Sequence, residues 1–130
     1  MPLMAVSELR VALTVDDFDK AVAFYRDGLG LEAGELWTDD GNGQIFLSGR
    51  ATLEIFDDAH ASAVDRLEVG ARVSGQIRFA FEVADVHAAL ARALDYGATL
   101  VHPPVRTPWN HLNARLQAPD GLQITLFQPL

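Results

Sequence analysis

A chain of 130 residues with 49% hydrophobic content can bury one core without staples, and its lack of cysteine excludes disulfides, thiolate nucleophiles and cysteine-held zinc. Eighteen acidic against ten basic residues leave a formal charge of −8, a field that repels nucleic-acid phosphates. No apolar stretch approaches bilayer length and the start, "MPLMAVSELR", lacks a leader pattern, so the expectation is a cytoplasmic protein with neither nucleic-acid nor membrane partners.

The first element is a strand in which Val11, Leu13 and Val15 alternate with Arg10, Ala12 and Thr14. Asp16 and Asp17 then cap a helix whose apolar positions, Phe18, Val22, Tyr25 and Leu29, follow helical spacing, with Gly28 or Gly30 as its stop. Three shorter strands follow, "ELWTD", "QIFLSG" and "ATLEIF", the first two joined by the turn "DDGNG". Residues 58–75 read as a connector with a short helix over about Ala61 to Glu68. "IRFAFEV" opens a second strand of the first kind, and Val86, Leu90, Ala93 and Leu94 give a second helix between Asp85 and Gly97. "ATLVH", "HLNARLQ" and "LQITLF" complete the chain as strands, His102 ending its strand before Pro103 and Pro104 and "PDG" making the last turn.

Shifting the chain by 68 residues lays "RVALTVDDFDKAVAFYRD" on "RFAFEVADVHAALARALD" and superposes Arg10 on Arg78, Ala12 on Ala80, Asp17 on Asp85 and Asp27 on Asp95. One module of strand, helix and three strands therefore occurs twice, over about 7–57 and 76–130, within a single domain spanning 1–130. Parity assigns directions. Val11, Leu13, Val15, Phe79, Phe81 and Val83 face the helices, which sends Arg10, Ala12, Arg78 and Ala80 to the opposite side. The same rule places Thr52, Glu54, Phe56, Thr125 and Phe127 there, and Phe46 by alternation with Ile45 and Leu47.

The duplicated module, the segment "TVDDFDKAVAFYRDGLGL" and the module ends "LEIF" and "PDGLQITLF" resemble the vicinal oxygen chelate superfamily, which includes glyoxalase I, extradiol dioxygenases and bleomycin-resistance-type binding proteins. The resemblance covers nearly the whole chain. It implies an α+β fold in which two tandem βαβββ modules form a cup-shaped, eight-stranded mixed sheet with helices on the convex face, in a homodimer with pockets at or near the interface. It also implies that a divalent cation, where the enzymes hold one, sits on four positions that fall here on Arg10, Glu54, Arg78 and Thr125, where His or Glu is usual. Only Glu54 suits a cation, since a guanidinium has no lone pair and stays protonated at physiological pH. The expectation is therefore no metal and no cofactor.

Two readings of the arginines stand side by side. They close an ionic cluster on Glu54, or they donate to oxygens of a guest in the cup. Trp37, Phe46, Phe56, Trp109 and Phe127 suit a flat, ring-bearing guest, and His111, sharing parity with Asn113 and Arg115, reaches the same space. His60 and His87 are read as solvent-exposed. The candidate ligand-binding set is Arg10, Trp37, Phe46, Glu54, Phe56, Arg78, Trp109, His111, Thr125 and Phe127, with no catalytic residue and no metal ligand. It points to a binding protein rather than an enzyme, one that sequesters a bulky, aromatic, oxygen-rich natural product such as a quinone-type or enediyne antibiotic, and so confers antibiotic resistance. The alternative is an isomerase, lyase or dioxygenase acting on a small metabolite with Glu54 or His111 as proton shuttle.

Overall fold

The computed structural model describes residues 6–23, 26–27, 31–49, 51–118 and 121–130. The first module comprises β1 (Val6–Thr14), α1 (Phe18–Ala23), β2 (Glu32–Trp37), β3 (Gly43–Ser48) and β4 (Ala51–Phe56). A connecting helix, α2 (Asp58–Val69), leads to β5 (Ile77–Val83), α3 (Val86–Asp95), β6 (Thr99–Arg106), β7 (His111–Gln117) and β8 (Gln123–Pro129). Tyr25, Leu29, the candidate stops Gly28 and Gly30, and Pro119 and Asp120 of the last turn lie outside the described residues.

The strands form one open, mixed sheet in the order β2-β3-β4-β1-β5-β8-β7-β6. β1 runs parallel to β4 and β5 parallel to β8, while β1 and β5 meet antiparallel at the centre. There Arg10 pairs with Ala80 and Ala12 with Arg78, so the repeat becomes a local twofold that sets the two arginines diagonally across one strand pair. The outer strands repeat the relation: Ala12 pairs with Glu54 and Ala80 with Thr125. The expected tandem βαβββ architecture is therefore present.

The two module helices cover one face of the sheet. Val22 of α1 packs with Phe46 and Ile55, joined by Leu13, Val15 and Leu53, and Val86 and Leu90 of α3 pack with Val83, Leu116 and Leu126. Asp85 caps α3 as its sequence predicts, accepting from the Ala88 N–H at 3.2 Å. Phe46 corrects the parity reading. It is fully buried under α1, because β3 pairs antiparallel with β4 in a register that sets Phe46 beside Leu53 and Ile45 beside Glu54. Three successive apolar residues, Ile45, Phe46 and Leu47, carry no alternation of their own, so only the pairing decides their direction. β6 also runs on through Pro103 and Pro104 instead of ending at His102, which an edge strand permits because one side of its backbone needs no donors.

The connecting helix expected over about Ala61 to Glu68 is α2, and the sequence assigned it no face of the sheet. It does not join α1 and α3 but lies on the opposite face, inside the cup, where Ala61 and Val64 pack on Ala12 and Phe56. Asp57 starts the helix, accepting from the His60 N–H at 2.9 Å and the Asn42 N–H at 3.0 Å, and Gly70 ends it in the left-handed region. The β2–β3 turn is thus fastened to the start of α2. Gly41, at φ +83°, approaches so closely that a Cβ there would lie 2.4 Å from both Asp57 Oδ1 and the His60 backbone nitrogen.

Gly41→Ala is therefore expected to lower unfolding free energy by roughly 2 kcal/mol or more, combining left-handed strain with a backbone clash. Gly49→Ala, at φ +61° with nothing within 4 Å of its Cβ, should cost only about 1 kcal/mol. Urea denaturation of the two variants checks the difference.

Candidate functional site

Cup-facing side chains of β1, β4, β5, β7 and β8, one side of α2, Trp37 at the end of β2 and the loop bearing Trp109 enclose a cavity of about 500 Å³. Its floor holds Ala80, Arg78, Thr125 and Phe127, all buried. Trp37 and Trp109 meet edge to face at 6.4 Å, and with Pro108 they border the opening. His111 stacks on Phe127 at 5.3 Å and 13°, and the Arg10 guanidinium lies 5.0 Å from the same ring. Of the ten residues named from sequence, Phe46 alone is not at this cavity.

The ionic cluster forms, but on a third arginine. Arg115, fully buried, bonds Asp65 Oδ1 at 3.0 Å and Glu68 Oε1 at 2.9 Å, both carboxylates coming from α2. Thr125 donates to Glu68 at 2.8 Å and accepts from Arg115 Nε at 3.1 Å and from Arg78 Nη1 at 2.9 Å. Arg78 is therefore oriented through Thr125 by a network rooted in the connecting helix. Arg10 instead gives its Nε to Glu8 at 3.0 Å and is partly exposed. Glu54 has no hydrogen bond or ion pair among the described residues. Burial raises its pKa, and the fields of Arg78 and Arg10 only partly oppose the rise.

α2 breaks the twofold symmetry. At the module 2 end it covers Thr125 and Arg115, whereas Glu54, the counterpart of Thr125, keeps an accessible face toward the cup. Sequence reasoning missed the wall that α2 supplies, including His60, Val64 and Glu68. His60 is half-buried, with its ring edge-on to Phe56 at 4.6 Å, and is not the exposed linker residue expected. The available signal was Ala61, Val64, Asp65 and Glu68 at helical spacing, together with Arg115 placed by parity in the cup, where a buried guanidinium calls for carboxylates. Also missed were Glu35, Asp39 and Asp40, exposed acids at the opening, whereas further in Arg10 and Arg78 stand beside Glu54 and Glu68. Burial lowers the pKa of both cavity histidines, His60 and His111.

The four family metal positions can be tested on their donors. Arg10 and Arg78 offer no lone pairs, and the Thr125 hydroxyl is already shared among Arg78, Arg115 and Glu68. Glu54 remains as one suitable ligand where a stable site needs several. These residues do not fit a divalent cation.

Two measurements follow. Burial alone would raise the Asp65 pKa, but the N–H and hydroxyl of Ser74, the Val73 N–H and Arg115 outweigh it and hold the group at about 2. A depressed carboxyl stabilises the fold above its unfolded value, so about 2 kcal/mol should be lost as pH falls from about 4 through about 2. Asp65→Asn should flatten that part of the profile. Glu54 has the opposite sign: its stabilising contribution is present below about pH 4 and lost as pH rises through its elevated folded value. Glu54→Gln should therefore stabilise the protein at pH 7, with the gain fading toward pH 4, as read by urea unfolding across that range.

A family model described as the Glyoxalase/Bleomycin resistance protein/Dioxygenase superfamily matches residues 9–126. No curated protein matches the sequence. Among solved structures, methylmalonyl-CoA epimerase from Mycobacterium tuberculosis is 22% identical with a TM-score of 0.72, covering 100% of this chain and 93% of its own. A superfamily member from Vibrio splendidus 12B01 is 14% identical (TM-score 0.69, covering 93% and 97%), and a Legionella pneumophila structure described as NAD-dependent benzaldehyde dehydrogenase is 16% identical (TM-score 0.68, covering 94% and 99%). At these identities the structures speak to the fold alone. The duplicated module, the open eight-stranded sheet and the model match lead to one conclusion: the chain belongs to the Glyoxalase/Bleomycin resistance protein/Dioxygenase superfamily.

Proposed function

We propose that the protein is a receptacle for a flat, ring-bearing, oxygen-rich small molecule, and that it works by sequestration, as in antibiotic resistance by drug binding. The observation that carries this reading is the cavity itself. Aromatic walls stand over a floor where the two guanidiniums keep part of their donor capacity free of acceptors among the described residues. A ring system lies against Trp37 and Trp109, over a floor in which His111 covers Phe127 and His60 meets Phe56, and sets carbonyl or phenolic oxygens on Arg10 and Arg78. The rim acids leave room for a basic substituent on the guest, which the arginines considered alone argue against.

A second reading has one specific observation in its favour. Glu54 is a carboxyl of raised pKa with no hydrogen bond or ion pair among the described residues, beside two guanidiniums, an arrangement suited to moving a proton on a bound carbonyl compound. It would make the protein an isomerase or lyase on the same cup.

Both tryptophans of the chain border the cavity, so intrinsic fluorescence reports its occupancy directly. Titration with a hydroxylated anthraquinone should quench emission saturably at one molecule per chain, with Arg78→Met weakening binding about tenfold or more. Absence of quenching across quinone-type and other polycyclic aromatic compounds would sink the receptacle reading. Recovery of the guest unchanged, with no deuterium taken up from D2O, supports sequestration over proton transfer.

A further inference from the structure

Two of the buried side-chain atoms without a partner among the described residues belong to groups lining the cavity: Asn113 Oδ1 and His60 Nδ1. The histidine nitrogen donates or accepts according to tautomer, so it selects no partner. Asn113 is different. Its Nδ2 donates to Glu68 Oε2 at 3.1 Å, and Glu68 is itself held by Arg115 and Thr125, so the amide cannot turn over without presenting an oxygen to a carboxylate. Oδ1 is thereby fixed as an acceptor, on a side chain only 4% exposed.

Asn113 sits opposite Phe127 in the β7–β8 register, and the Phe127 ring lies under the Arg10 guanidinium. An unpartnered acceptor, which a hydroxyl-sized group meets only once its neighbours shift, and the Arg10 donor therefore lie about the Phe127 ring, which His111 also covers. A guest bearing only acceptors, such as an unsubstituted quinone or an ether, satisfies the arginines and leaves Asn113 Oδ1 buried and unmet. A guest bearing a free hydroxyl as well as a carbonyl satisfies both.

We infer that the cup selects ring systems carrying a hydroxyl donor together with a carbonyl acceptor, with the hydroxyl on Asn113 Oδ1 and the carbonyl on the guanidiniums of Arg10 and Arg78. This rests on the receptacle reading above and narrows its ligand to hydroxylated aromatic carbonyl compounds. Asn113 becomes the specificity-determining residue. The methyl ether of such a compound keeps the ring and the carbonyl but cannot donate.

The test compares 2-hydroxyanthraquinone, 2-methoxyanthraquinone and anthraquinone by tryptophan quenching and calorimetry on the full chain. With no cysteine present, quinone alkylation of thiols does not intrude. The hydroxy compound is expected to bind at least about tenfold more tightly than either analogue. In Asn113→Leu, shown by circular dichroism to remain folded, that preference should fall to near unity. Equal affinity of the wild-type protein for all three compounds, which an Asn113 Oδ1 that stays closed to the guest would produce, overturns this inference while leaving the receptacle reading intact. Binding of none of them overturns both. Should Asn113→Leu fail to fold, the wild-type ratios decide the matter by themselves.

Discussion

The whole cup depends on one fully buried guanidinium. Arg115 has lost its water entirely, and a lone charge in that position would be untenable, so the fold must bring it carboxylates. Asp65 and Glu68 supply them from α2, which obliges a connecting helix to lie on the open face of the sheet and not at the periphery. Asp65 is secured from its other side by Ser74 and by the Val73 N–H, so the segment after the helix is tied into the same cluster. The helix then determines which part of the cup stays accessible.

Because α2 lies across only part of the cup, two side chains that the repeat makes equivalent acquire different roles. Arg78 is buried and oriented by Thr125, whose hydroxyl links it to the Glu68 carboxylate. Arg10 is tethered more loosely to Glu8 and leans over the Phe127 ring. One cation is thus preset and the other adjustable, which suits the receptacle proposed above. Glu54 completes the contrast, since its twofold counterpart Thr125 is saturated with partners while Glu54 has none among the described residues.

The superfamily is broad in chemistry, and its fold alone does not select among activities. What bears on chemistry in this chain is the character of the four central positions, where donor-only cations and a saturated hydroxyl surround a single carboxylate. Along the cavity, Arg10 and Arg78 stand beside Glu54 and Glu68, and Glu35, Asp39 and Asp40 lie at the rim. For the guest proposed above, the arginines are the partners of its oxygens and the rim acids those of any basic substituent.

Much of this was legible in the residues themselves. The repeat at 68 positions, the alternation in the two central strands and the Asp caps are local or periodic signals, and they sufficed for the module, the sheet face of Arg10, Arg78, Glu54 and Thr125, and the reach of His111 into the cup. Phe46 was not legible, because an unbroken apolar run has no parity and its direction came from pairing with Leu53. Nor was α2, whose amphipathic pattern shows that it packs but not on which face. Its place was settled by complementary charges some 50 residues apart, Asp65 and Glu68 against Arg115. The sequence by itself determined the repeat, the cup and the cations in it; only the tertiary structure decided which half stays open, because a buried charge finds its partner through space and not along the chain.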